Sequence, residues 1–80
     1  MTQVYVVVDQ DENGENVSVF TNLSDARVVA KEAVWDVLGP RETDKYKEAC
    51  KAIDELAEFG GFYEYDDGKF VNIYHASLDS

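Results

Sequence analysis

The chain has 80 residues, a length that suits one domain built around a single small core. Its hydrophobic content of 45%, including aromatic residues at 12%, excludes a disordered acidic tail. The formal net charge of −10 disfavours nucleic acid and anionic membranes as partners and favours encounter with cationic surfaces. We therefore expect one folded acidic domain spanning residues 1–80.

The first residues lack the cationic start, apolar run and small-residue cleavage site of a signal peptide, and no apolar stretch is long enough to span a bilayer. These features predict a cytoplasmic protein. Cys50 is the single cysteine, which excludes an internal disulfide and a cysteine-based zinc site. The acidity is also compatible with a halophile surface, although lysines are then expected to be rare, and here five Lys outnumber two Arg.

Two short apolar runs begin the chain and predict a β-hairpin. Val4–Val8 is rich in β-branched residues, and Val17–Phe20 follows after the polar stretch Asp9–Asn16. Asn13-Gly14 within that stretch tolerates the positive φ angles of a tight turn. The spacing between the runs predicts a connecting loop longer than two residues.

A helix is predicted to begin near Leu23, because the Asn22 side chain can cap its free backbone N–H groups. Gly39-Pro40 is predicted to end it. Its apolar stripe consists of Ala26, Ala30, Ala33 and Val37, flanked by Leu23, Val29 and Val34. Trp35 and Val28 lie opposite this stripe, so they either pack on a second helix or form a small exposed patch.

A second helix is predicted from Thr43 to the Gly60-Gly61 pair. Two further strands, Phe62–Tyr65 and Phe70–His75, are joined across Asp67-Gly68, a strong hairpin signal. The order ββααββ predicts an α+β fold with a four-stranded, mainly antiparallel sheet and both helices on one face. The predicted core residues are Ala30, Ala33, Val37, Cys50, Ile53, Leu56, Val71 and Ile73.

The pattern of the second hairpin suggests a binding surface. With a plain two-residue turn, Tyr63, Tyr65, Phe70, Asn72 and Tyr74 share one face, and Phe62, Glu64, Val71 and Ile73 share the other. The second set resembles a core face. The first would then form an exposed, tyrosine-rich surface, unless the tyrosines pack beneath the helices instead.

Residues that could carry chemistry are few. Asp9–Glu15 matches the first half of an EF-hand calcium loop, but Phe20 stands where the bidentate Glu is required. His75 has no identifiable catalytic or ligating partner, and Cys50 lies on an apolar stripe. No phosphate loop, nucleophile elbow or zinc spacing occurs. We therefore expect no enzyme activity, no catalytic residue, no metal site and no cofactor.

Charge placement is the most informative feature. Residues 1–26 contain five acidic residues and no lysine or arginine, and residues 52–80 contain seven acidic residues and Lys69 alone. The predicted helices between them are nearly neutral. The acidic residues therefore concentrate at the hairpins, in two groups: Asp9, Asp11, Glu12 and Glu15, and Glu64, Asp66 and Asp67.

In size, acidity, lack of catalytic motifs and these two acidic groups, the chain resembles small phage-encoded inhibitors of host defence, especially anti-CRISPR proteins. Many such inhibitors are DNA mimics. The resemblance implies a monomeric inhibitor in the host cytoplasm that occupies a basic DNA-binding site of a CRISPR effector complex and blocks target DNA. The alternatives are a calcium-responsive module and a general acidic protein-interaction module. The predicted partner-binding residues are Asp9, Asp11, Glu12, Glu15, Tyr63, Glu64, Tyr65, Asp66, Asp67 and Tyr74.

Overall fold

A computed structural model describes residues 2–78. Its elements follow the predicted order ββααββ: β1 (Thr2–Asp11), β2 (Gly14–Phe20), α1 (Leu23–Leu38), a 3-10 turn (Gly39–Glu42), α2 (Thr43–Phe59), β3 (Gly61–Asp66) and β4 (Lys69–Leu78). The four strands form one antiparallel sheet in the order β2-β1-β4-β3. The predicted α+β fold is confirmed. Neither helix within this range is long and apolar enough to cross a membrane.

The pairing of β1 with β4 determines where the two hairpin turns lie. β1 leads into the first turn and β4 leads out of the second, and Gln10 near the end of β1 lies opposite Phe70 near the start of β4. Because the two strands are antiparallel, both turns lie at the same end of the sheet. The sequence patterns of the two hairpins do not specify this pairing, because each pattern predicts only the contacts within its own hairpin.

The first hairpin is tighter than its sequence predicts. β1 and β2 remain paired as far as Asp11 opposite Gly14, which leaves Glu12-Asn13 as a two-residue turn. The backbone N–H of Asn13 donates a hydrogen bond to Asp11 Oδ1 at 2.8 Å, and Gly14 has a φ of 123°. The predicted longer loop is therefore wrong. The two strands stay paired along this polar stretch because the hydrogen bonds between them join main-chain N–H and C=O groups. Every residue in the stretch supplies these groups, whatever its side chain.

The ends of the helices agree with their predicted signals. Asn22 Oδ1 accepts a hydrogen bond from the Ser24 backbone N–H at 2.8 Å, which caps α1. Gly39, with a φ of 62°, ends α1 by donating its N–H to the Trp35 carbonyl. Gly60 has the same role in α2, where its N–H lies 2.7 Å from the Leu56 carbonyl. Both helices therefore stop where glycine can adopt a left-handed conformation.

One core lies between the sheet and the two helices. Its buried residues are Val7 of β1, Val71 and Ile73 of β4, Tyr65 of β3, Ala26, Ala30, Val34 and Leu38 of α1, and Ala49, Ile53 and Ala57 of α2. The α1 stripe is thus shifted from the predicted one, since Val34 and Leu38 are buried, Val37 packs at the margin and Ala33 is half-buried. Cys50, predicted in the core, is half-buried. Of the other predicted core residues, Leu56 packs at the margin of the core. The remaining four are confirmed as buried: Ala30, Ile53, Val71 and Ile73.

Trp35 connects the helices at their outer side. Its ring meets that of Tyr46 on α2 edge to face, with centroids 4.9 Å apart. Of the two alternatives, packing on the second helix is the one found for Trp35, although 40% of the residue stays exposed. Val28, in contrast, is 52% exposed and is better described as a surface residue.

The register of the second hairpin overturns the predicted strand faces. Asp66 lies opposite Lys69 as a two-residue turn requires, but an irregularity between Glu64 and Asp66 places Glu64 opposite Phe70. This extra residue, a β-bulge at Tyr65, shifts the rest of β3 by one position and so exchanges its faces. The predicted exposed positions of Tyr63 and Tyr65 are therefore wrong.

Both tyrosines belong to the helix side of the sheet. Tyr63 lies opposite Val71 and packs against the core, and Tyr65 is only 6% exposed within it. Phe62 and Glu64, predicted on the core face, lie with Phe70 on the other face. The alternative in which these tyrosines pack beneath the helices is the correct one for the two β3 residues.

His75 has a structural role at the opposite end of the sheet from the turns. Its Nε2 lies 3.1 Å from the carbonyl oxygen of Ala57, near the C-terminus of α2. Its ring also meets Tyr5 edge to face, with centroids 5.0 Å apart. These contacts attach the last turn of α2 to β4, in agreement with the prediction of a plain strand residue.

Candidate binding surfaces

The two acidic groups that are separate in the sequence meet at one end of the molecule. Both turns lie there, and the Asp36 side chain in the last turn of α1 joins them, close enough to Asp9 to affect its ionisation. We call this surface the acidic end. It consists of Asp9, Asp11, Glu12, Glu15, Asp36, Glu64, Asp66 and Asp67. All seven predicted partner-binding carboxylates are therefore brought together, and Asp36 is an addition that the sequence pattern did not reveal.

Most of the acidic end carries unneutralised charge. Asp66 lies 3.9 Å from Lys45 Nζ and 3.7 Å from Lys69 Nζ. The Asp67 backbone N–H donates to Asp66 Oδ1 at 2.9 Å, and this hydrogen bond, together with the two lysines, lowers the pKa of Asp66. Within residues 2–78, no other carboxylate of the acidic end has a cationic side chain within 4.0 Å. The surface is thus available to cations from outside the molecule.

Asp9, on the helix side of the sheet, lies close to two other carboxylates whose negative charges repel its own. Burial raises the pKa of Asp9, and the neighbouring carboxylates of Asp11 and Asp36 raise it further, while the Asn16 side chain opposes the rise. One oxygen of the Asp9 carboxylate is buried and has no hydrogen-bond partner among the residues that the structure describes. Burial, followed by the charges of Asp11 and Asp9, also raises the pKa of Tyr65 to about 12. This end of the molecule therefore tolerates like charge at a cost in stability.

Replacing Asp9 by Asn is expected to stabilise the protein at neutral pH. Below the unfolded-state pKa of 3.8, Asp9 is protonated in both states, so its charge costs the wild type no stability there. As the pH rises through the elevated folded-state pKa, only the wild type must keep a half-buried carboxylate beside two others. Thermal unfolding between about pH 3 and about pH 7 should therefore show a stability advantage of Asp9→Asn that grows with pH. Glu12→Gln, at an exposed turn position, is the control, and an advantage of Asp9→Asn that is independent of pH would contradict this account.

The segment that resembles half of a calcium loop does not have the shape of one. Asp9 and Asp11 lie on paired strands and Glu12-Asn13 forms a tight turn, whereas an EF-hand loop wraps around its ion. A cavity of about 320 Å³ adjoins this turn, lined by Asp11, Glu12, Asn13, Asp36, Val37 and Lys69. In the described part of the chain, no three His, Cys, Asp or Glu side chains are arranged to hold a metal ion. The calcium-responsive alternative thus loses the loop that motivated it.

A second surface is the face of the sheet opposite the helices, which we call the open face. The strand registers place the following side chains on it, among others: Val4, Val6, Val8 and Gln10 of β1, Glu15, Val17 and Val19 of β2, Phe62 and Glu64 of β3, and Phe70, Asn72, Tyr74 and Ala76 of β4. Val17, Val19, Phe62 and Tyr74 are 59%, 57%, 59% and 45% exposed. Tyr74 is the one predicted partner-binding tyrosine that is found on an exposed surface.

The apolar character of the open face has a signal in the sequence. β1 carries valine at positions 4, 6, 7 and 8, so apolar side chains point to both sides of the strand. Strands with apolar residues on both sides are typical of sheets covered on both faces. This run could have indicated the open face, whereas the exposure of Phe62 could not be predicted without the bulge in β3.

Comparison of the chain with protein-family models, with curated proteins and with solved structures gives no match. The functional interpretation therefore depends on these two surfaces.

Proposed function

We propose that the chain is a binding inhibitor that places its acidic end in a lysine- and arginine-lined nucleic-acid-binding site of a partner protein and thereby competes with DNA. A CRISPR effector complex is the specific target that the resemblance of the sequence implies. The observation that carries the proposal is the β1–β4 pairing, which collects both acidic hairpin turns at one end of the molecule.

The electrostatics of such an encounter favour binding. A DNA-binding groove already presents cations directed at phosphates, and carboxylates can accept the same charge-assisted hydrogen bonds. Among residues 2–78, Asp66 is the one carboxylate of the acidic end with a cationic partner to release before it binds. Long-range attraction should then accelerate association, and added salt should slow it by screening that attraction.

Ion pairs on the helix layer favour one orientation of approach by a cationic partner. On the helix layer, Arg27 and Lys31 of α1 pair with Asp54 of α2, and Arg27 also approaches Glu58. These pairs neutralise part of the helix layer, whereas within residues 2–78 only Asp66 of the acidic end has a cationic partner. A cationic partner should therefore meet the hairpin turns first.

Competition for DNA on a purified CRISPR effector complex tests the proposal. We expect increasing amounts of the chain to displace labelled target DNA from the complex in a gel-shift assay, with the DNA left intact. If the effector binds target DNA equally well in a large excess of the chain, the competition mechanism is wrong. If the chain binds the effector without displacing DNA, the general acidic interaction module is the better description.

A further inference from the structure

The sheet is built as if both of its faces were covered, yet the helices cover only one. Val7 of β1 belongs to the core beneath the helices, while Val4 and Val6 point to the open face and are nevertheless 2% and 8% exposed. Both valines are therefore buried although the strand register directs them away from the helices. The central strand therefore already has an apolar side facing away from the core.

The side chains around the central valines form two adjacent, mainly apolar rows across the sheet, with Asn72 as the polar exception. One row contains Val17, Val8, Asn72 and Phe62, and the next contains Val19, Val6 and Tyr74. The Phe62 ring meets that of Phe70 with centroids 5.2 Å apart. Contiguous exposed apolar surface of this kind, rimmed by polar residues, is typical of protein-interaction sites.

Charge on the open face is confined to the row nearest the turns. Glu15 lies opposite Gln10, and Glu64 lies opposite Phe70, so that a carboxylate stands at each edge of this row. Among the side chains that the registers place in the other rows, none is Lys, Arg, Asp or Glu. The apolar rows are thus continuous with the acidic end, and the described residues of the open face carry charge only in the row nearest the turns.

The construction of the sheet restricts how an occupant can bind. β1 and β4 are each paired on both sides, so the centre of the open face offers side chains but no free backbone groups. A segment with its own backbone satisfied, such as a helix, suits this surface, and the other face of the same sheet already holds two helices. Successive rows are about 7 Å apart along the strands, so the four rows from Gln10 to Val4 span about 20 Å, the length of a helix of about 14 residues.

We propose that the open face binds an amphipathic helix of a partner protein, with its apolar stripe on the two valine rows and Lys or Arg in the turn that reaches Glu15 and Glu64. The inference rests on the proposed function only for the sign of the partner's charge. A second copy of this chain fits poorly, because each copy carries a net charge of −10 and both of its helices already bury their stripes in its own core.

Synthetic helical peptides of about 18 residues, long enough to cover the rows with a turn to spare, can test this assignment. The first has a leucine stripe and four lysines at one end. The second has glutamates in place of those lysines, and the third has glutamines in place of the leucines. We expect the first to bind, with amide shift changes at positions 4–8, 17–19 and 72–76, the second to bind about tenfold more weakly, and the third not to bind measurably by titration calorimetry.

Matched variants of the protein identify the face. Val17→Thr combined with Val19→Thr keeps β-branched side chains on β2 but makes them polar, and we expect it to weaken binding of the first peptide about tenfold. Val28→Thr makes the same change at an exposed position of α1 and should leave binding unchanged.

Several results would overturn the inference. These are failure of all three peptides to bind, equal binding of the glutamine peptide, and shift changes confined to the hairpin turns. A dimer in analytical ultracentrifugation that the Val17 and Val19 replacements convert to a monomer would instead assign the open face to a second copy. None of these outcomes depends on DNA competition, so failure of the proposed function and failure of this inference are distinguishable.

Discussion

Replacing Ile53 by alanine is expected to lower the free energy of unfolding by about 2 to 5 kcal/mol. Ile53 is fully buried in the part of the core that α1, α2 and the sheet share. Truncation removes its apolar side chain from this packing and leaves a cavity that three elements would have to move to fill. Urea denaturation followed by circular dichroism would measure the loss.

The matched control is Val28→Ala, which also truncates a β-branched helical residue but at a position that is 52% exposed. Its effect should be within about 0.5 kcal/mol. Leu56, which the sequence pattern places in the same core, packs only at its margin, so Leu56→Ala should cost less than Ile53→Ala. Equal losses for Ile53→Ala and Val28→Ala would show that α2 is rotated from the orientation described.

The elements of this fold are well encoded locally, and their arrangement is not. Asn22, Gly39 and Gly60 act as caps wherever the helices finally pack, so their signals predict the helix limits correctly. The pairing of β1 with β4 depends on contacts between the two ends of the chain, which no local pattern reports. Local patterns do not report the bulge at Tyr65 either, because one unpaired residue exchanges the two faces of a strand without altering its composition.

The same distinction applies to the candidate site. The carboxylates of the hairpins were predicted because their charge is visible in the sequence. Their convergence was not, since it follows from the strand order, and Asp36 joins them only because α1 ends beside the first turn. The valine run of β1 indicates apolar side chains on both faces of the strand, but it does not indicate whether a partner or the core covers them.

Neutralising the acidic end is expected to weaken the complex with a basic partner about tenfold or more, because these charges accelerate the encounter. A suitable variant combines Glu12→Gln, Glu15→Gln and Glu64→Gln, all at exposed positions without an ion pair among the described residues. Its stability should be close to that of the wild type, since exposed acidic residues contribute little to folding. Association and dissociation rates with the purified CRISPR effector complex, measured by surface plasmon resonance, would separate the two effects.

A second variant separates the effect of where the negative charges lie from the effect of how many there are. A control that combines Glu32→Gln, Glu48→Gln and Glu55→Gln removes the same three charges from exposed helix positions. If the acidic end is the binding surface, the control should associate nearly as fast as the wild type, while the hairpin variant associates slowly. The difference between them should shrink as salt rises, because the Debye length falls from about 10 Å at 0.1 M to about 3 Å at 1 M. Equal slowing of both variants would mean that net charge alone governs the encounter, and that the meeting of the two hairpin turns at one end of the sheet has no part in it.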